Sequence, residues 1–180
     1  MTRCATGLLA MLLVGCAPSI EPDGDGTGGR PGNTQVTVDG VVDMVVDATS
    51  EDDWVPYSFL EAAIVEDDEH VAFNRYRLRL GEGVSVARIA GGALEDPVDL
   101  SGVEWLVDAE DPVDDEDYAM FEWYDYDESV HVLTPKDERY VFRLGEQGEQ
   151  GYVVLVFDDY YDDAGTPALV SIRWTVLETE

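Results

Sequence analysis

Cysteine is nearly absent from this 180-residue chain: the two that occur, Cys4 and Cys16, both lie in the first sixteen residues. From residue 17 onward no thiol is left for a disulfide, for thiolate catalysis or for cysteine-ligated zinc. Lysine is reduced to Lys136 beside nine arginines, and histidine to His70 and His131. These 10 basic residues stand against 40 acidic ones, a formal net charge of −30. A field of that sign repels phosphate backbones and anionic lipid surfaces, so nucleic acid is not an expected partner. The sequence also lacks a G-x-S-x-G elbow, a phosphate loop and a dinucleotide fingerprint. With so many carboxylates, no catalytic pair can be singled out from spacing. A helical period never persists beyond two turns after residue 33, and there is no repeat of fixed length. Nothing in these features points to an enzyme.

Apolar residues are plentiful, at 45% with 10% aromatic, which supports a packed core and argues against a disordered chain. The first fifteen residues form a signal peptide in pattern: Arg3, then an apolar run over 5–14 too short to span a bilayer. The run ends in Leu13-Val14-Gly15-Cys16, similar to a bacterial lipobox, in which cleavage precedes the cysteine and its thiol takes the lipid. The alternative is a secretory signal with a chance cysteine. Acyl chains on Cys16 give stable membrane anchoring. Ala17 rather than aspartate next to the cysteine points, by likeness to enteric lipoproteins, to the outer membrane. Residues 16–33, rich in glycine and proline, follow as a flexible tether. Within it, Asp23-Gly24-Asp25-Gly26-Thr27-Gly28 resembles the start of a calcium loop but lacks the closing glutamate and the flanking helices.

Residues 34–180 read as one all-β domain, a single antiparallel sheet or sandwich with little helix. The clearest strands lie within 123–174. Ala168, Val170, Ile172, Trp174 and Val176 alternate with Leu169, Ser171, Arg173 and Thr175. Tyr140, Phe142 and Leu144 alternate in the same way, and 152–157 is apolar on both faces, as a central strand should be. Glycine-rich and acidic turns link these three into an antiparallel meander. Upstream, 36–47 predicts a strand with Gly40 as the place for a bulge. Residues 54–60 predict a strand that Pro56 assigns to an edge, and 60–65 a helical turn or a strand. Residues 71–80 predict one long strand presenting Arg75, Arg77 and Arg79 to acidic neighbours. Short strands are expected over 84–90 and 103–107, and an acidic surface loop over 108–117. Two acidic clusters, Asp114-Asp115-Glu116-Asp117 and Asp158-Asp159 with Asp162-Asp163, are candidate calcium ligands, with a solvated surface as the ordinary alternative.

Three segments resemble the HmuY family of haem-binding bacterial lipoproteins: VAFNRYRLRLGEGVSVARIAGGA (71–93), WYDYDESVHVLTP (123–135) followed by RYVFRL, and GYVVLVFDDYYDDAGTPALVSIRW (151–174). The third is similar to the family's closing hairpin with its Tyr-Tyr turn. One departure is that His70-Val71 stands where the family opens its first segment with Trp-Asp. The resemblance implies an all-β fold likened to a hand gripping haem, and a role in passing haem to an uptake receptor. Family members hold the iron with two histidines, or with methionine in some relatives, from segments outside these motifs. The haem-ligand candidates in this chain are His131 and Met120, flanking Phe121, Trp123, Tyr124 and Tyr126. Arg75, Arg77, Arg79 and Lys136 are the cations available to the propionates. Two other functions remain open: a non-catalytic envelope lipoprotein on the same scaffold without haem, and a calcium-dependent interaction module.

Overall fold

The computed structural model describes residues 33–178, Asp39 excepted. The expected signal peptide, Cys16 and all of the tether but Asn33 lie outside the described residues. In chain order the strands are β1 (Thr34–Val38), β2 (Val41–Asp47), β3 (Val55–Ser58), β4 (Ala63–Ile64), β5 (Val71–Asn74) and β6 (Arg77–Leu80). They continue with β7 (Ser85–Ala90), β8 (Tyr124–Asp127), β9 (Val132–Pro135), β10 (Glu138–Leu144), β11 (Gly151–Tyr161) and β12 (Pro167–Leu177). Three antiparallel sheets result: β1-β2-β12-β11-β10-β7, β4-β3-β5-β6 and the hairpin β8-β9. The only helical pieces among the described residues are 3₁₀ turns at Asp115–Asp117 and Glu146–Gly148. The fold is all-β, as the alternation predicts.

The meander is present, with β11 between β10 and β12 and registers such as Val141↔Val154 and Leu155↔Trp174. Its central strand is covered on both faces. Val153, Leu155 and Phe157 enter the main core between the six- and four-stranded sheets, while Val154 joins Leu94 and Val141 on the outer face. On β12, Ala168, Val170, Ile172 and Trp174 are buried, but Val176 is exposed, because the ladder with β2 ends at Trp174↔Val42. Aromatic rings join the sheets: Phe59 lies 5.1 Å from Phe142 and 5.3 Å from Trp174.

The stretch 71–80 is a hairpin rather than one long strand. A two-residue turn, Arg75-Tyr76, pairs Asn74 with Arg77, Phe73 with Leu78 and Val71 with Leu80. A continuous strand would set Val71 and Phe73 on the face opposite Leu78 and Leu80, since side chains alternate. The turn reverses that parity, and all four enter the main core. Gly40 is likewise a turn residue instead of a bulge: at φ +80° it lies between Val38 and Val41, which pair across the β1–β2 hairpin. Pro56 is on an inner strand, since β3 runs between β4 and β5. Its carbonyl accepts the Val65 N–H at 3.0 Å, so its missing donor faces the same side, beyond the two-residue β4. Residues 60–65 form a turn running into β4.

Within 103–107 only Leu106 pairs, by an isolated bridge to Val86. The neighbouring Trp105 instead packs on the outer face of the large sheet, 6.0 Å from Tyr152 and under the Arg143 guanidinium at 4.5 Å. Leu94, Val98 and Leu100 pack there too, so this irregular stretch is the sheet's cover. Arg139 holds it down. It is buried and donates to the carbonyls of Gly91 (3.0 Å), Ala93 (3.3 Å) and Asp96 (2.8 Å). Gly92, at φ +90°, leaves room for that guanidinium, which would stand 2.9 Å from an added Cβ.

Candidate functional site

Three hairpin ends converge on one cleft of about 560 Å³. The β5–β6 turn brings Arg75 and Tyr76, and the β8–β9 hairpin brings Tyr124, Tyr126, His131 and Leu133. The β11–β12 end adds Tyr160, Tyr161, Gly165 and Pro167. The hairpin is tied to both neighbours. Trp123, fully buried just before β8, stacks on Phe157 at 4.2 Å and donates its indole N–H to the Tyr76 carbonyl at 2.7 Å. The Leu133 N–H donates to the Tyr161 hydroxyl at 3.1 Å. Arg88 braces the same region from below, donating to the carbonyls of Ala119 and Phe121.

The walls of the cleft are phenols. Tyr76 meets Tyr124 edge to face at 5.9 Å, and Tyr160 meets Tyr161 at 5.0 Å. Burial pushes the Tyr124 hydroxyl up to about 12 and that of Tyr160 upward as well, so both are neutral at ordinary pH. A wall of neutral phenols offers an apolar face with polar tips. His131 stands at the rim, exposed, in the left-handed region at φ +57°. Its Nδ1 lies 2.6 Å from the Tyr126 hydroxyl. In the tautomer with the proton on Nδ1, the imidazole donates to the phenol oxygen and the Nε2 lone pair is left for a ligand.

Of the residues singled out from the sequence, His131, Tyr124, Tyr126 and Arg75 are in the cleft. Met120 is not: it is 1% exposed and packed in the main core, and the small gap it lines is bounded by Tyr76 and Tyr124, which it shares with the cleft. The structure does not bring Met120 to the cleft that His131 lines. Trp123 is core, and His70 is buried at the β3–β6 end of the small sheet, hydrogen-bonded to Ser58 and Phe59. Arg77 and Arg79 meet the acidic neighbours expected of them, Asp115 at 2.5 Å and Glu69 at 2.7 Å. The arrival of Tyr76 beside Tyr160, Tyr161 and His131 was hidden in the sequence by the 75–76 turn. The one signal for that turn is the parity break between Val71 and Phe73 and Leu78 and Leu80.

The acidic clusters are occupied in turn-building. Asp117 accepts the N–H groups of Val113 (2.9 Å) and Asp114 (3.0 Å), and Asp162 those of Ala164 (2.9 Å) and Thr166 (2.7 Å). Asp159 accepts the Tyr160 and Tyr161 N–H groups, and Asp158 takes a two-pronged contact from Arg173 at 2.7 and 2.8 Å. Among the described residues no group of three or more His, Cys, Asp or Glu side chains converges in a way that would hold a metal ion.

No family profile and no curated protein matches the sequence. Solved structures do match. A candidate lipoprotein from Bacteroides fragilis superimposes with a TM-score of 0.64 at 15% identity, over 82% of this chain and 96% of that one. A candidate HmuY-like haem-binding protein from Bacteroides vulgatus gives 0.63 at 13% identity, over 83% and 100%. The apo form of a Tannerella forsythia HmuY analogue gives 0.58 at 11%, over 76% and 95%. At these identities the likeness is one of architecture, and the chain has the HmuY-like fold.

Proposed function

We propose that this chain is a non-catalytic, lipid-anchored envelope protein that holds haem in the tyrosine-lined cleft, with His131 facing the iron. The observation that carries the reading is the convergence of one imidazole, five tyrosines and one guanidinium on a single cleft. Imidazole and phenol are both among the axial ligands that haem iron takes, and tyrosine rings pack well against a porphyrin. The donor set therefore fits haem. Bound haem would supply an iron centre and two carboxylates. Tyr126 would set the His131 ring orientation through their hydrogen bond, and Tyr76, Tyr124 and Tyr161 would shield the porphyrin from water. Met120, spent in the core, is given no ligand role. Architecture alone links the chain to proteins described as haem-binding; the site assignment rests on its own residues.

The lipobox supports anchoring through Cys16, with the outer membrane as the proposed location. From there haem would pass to an uptake receptor. Hemin titration tests the central point. A Soret band should develop to saturation, and His131→Ala should weaken binding about tenfold or displace the band, while the spectrum is indifferent to conservative change at Met120. The absence of any band would turn the assignment to an envelope binding protein of the same fold without haem.

A further inference from the structure

Four cations were available from the sequence to receive carboxylates, and three of them are already paired: Arg77 with Asp115 at 2.5 Å, Arg79 with Glu69 at 2.7 Å, and Lys136 with Glu122 at 3.9 Å. Arg75 differs. It lines the cleft, its Nη1 is 3.4 Å from the Thr49 carbonyl, and it sits beside the Tyr160 phenol. Both neighbours are neutral, and among the described residues no carboxylate pairs with it. Arg88, Arg139 and Arg143 also lack an acidic partner, but they are spent on backbone carbonyls, the Ser85 hydroxyl and the Trp105 ring, whereas Arg75 lines the cleft.

The backbone bears on the same residue. Arg75 occupies the left-handed region at φ +55°, as His131 does at φ +57° across the cleft. Glycine or asparagine would sit in either turn with less strain. The bond that holds the Arg75 turn is backbone, from its N–H to the Ala48 carbonyl at 2.9 Å, and glycine would keep it. Left-handed non-glycine residues occur elsewhere in this chain, so strain alone decides nothing. Here strain coincides with a cleft and with a guanidinium lacking an acidic partner, which argues that the side chain is kept for what it contacts there.

We propose that Arg75 is the carboxylate contact of the cleft, so that its ligand is a flat aromatic molecule bearing at least one free carboxylate. This rests on the haem reading and makes it more specific: Arg75 receives a propionate while His131 faces the iron. Guanidinium and carboxylate match in geometry and charge, and the surrounding negative field would otherwise repel such a ligand.

The test compares hemin with its dimethyl ester, in which both propionates are blocked, on the wild-type protein, Arg75→Asn and Arg77→Asn. Wild type should bind hemin about tenfold more tightly than the ester. Arg75→Asn should lose about that factor for hemin, keep the ester affinity, and melt no lower than wild type because asparagine suits the turn. Arg77→Asn should leave the hemin-to-ester ratio unchanged. Equal affinities of the wild type for the two ligands, or equal losses of both in Arg75→Asn, would overturn the Arg75 assignment while leaving haem binding in place. Failure of both ligands to bind would remove the haem reading and this inference with it.

Discussion

His70 and His131 are the same residue type in opposite environments. His70 is buried; its Nδ1 accepts the Phe59 N–H at 3.2 Å and has the Ser58 hydroxyl at the same distance. That pattern leaves the proton on Nε2 and the ring neutral. Burial pulls its pKa below 6.5, opposed by a hydrogen bond with the Gln150 side chain and by the charge of Asp68. The unfolded chain takes up a proton near pH 6.5, where the folded chain resists it. The stability that neutral His70 confers is therefore complete above that pH and is lost as pH falls through the lower, folded-state value. Melting measured between pH 7.5 and 5.5 should show a declining Tm for wild type and a flatter profile for His70→Gln, whose amide oxygen can still take the Phe59 N–H. Parallel profiles would assign the acid sensitivity to carboxylates instead. Gly81, close by, has a steric duty: an added Cβ would stand 1.7 Å from the Glu69 carbonyl oxygen. The sequence marks 81–83 as glycine-rich but does not say which glycine faces a crossing backbone.

Among the elements, β11 shows what alternation can and cannot reveal. Its apolar run over 152–157 identifies a strand covered on both sides, and Val154 is indeed 1% exposed. What covers it was not legible. The outer face is closed by Leu94, Val98, Leu100 and Trp105, from a stretch with no regular period. Such a segment carries no strand signal because its apolar residues answer to the sheet beneath them rather than to a ladder of their own. Val154→Asp would bury an unpaired charge under this cover and should cost on the order of 3–5 kcal/mol. At about 3 °C per kcal/mol for a domain of this size, Tm should fall by about 10–15 °C. A tolerated aspartate would mean that the 94–106 cover opens readily, and faster amide exchange along β11 would show it. The β5–β6 hairpin is the opposite case. Its alternation is clear, but a two-residue turn preserves the look of alternation while reversing which residues share a face.

For the molecule as a whole, charge and core oppose each other. The repulsion implied by a net charge of −30 is relieved within the described residues by only a few ion pairs, such as Arg173–Asp158 at 2.7 Å and Arg79–Glu69 at 2.7 Å, and those are partly exposed. Exposed pairs contribute little, so repulsion among carboxylates should dominate the salt response. Raising sodium chloride from about 10 mM to about 0.5 M shortens the screening length from roughly 30 Å to about 4 Å and should raise Tm. A flat response would show that the surface acids are neutralised by bound cations, and calcium added at low salt would then be the next measurement.

The sequence by itself determined the all-β class, the antiparallel meander and the inward side of most of β12. Period-two alternation follows directly from strand geometry, so it survives whatever the neighbours do. Only the tertiary structure decided which strands end in turns, which loop closes the outer face of the large sheet, and which side chains meet in the cleft. Arg75 with Tyr76, Tyr126 with His131, and Tyr161 come from three segments far apart along the chain and meet because three hairpin ends converge. Met120, adjacent to the aromatic run in sequence, went instead to the core, since a thioether with no polar partner is more favourably buried than held at a wet rim. Proximity along the chain suggested that residue for the site; packing of one sheet against another removed it.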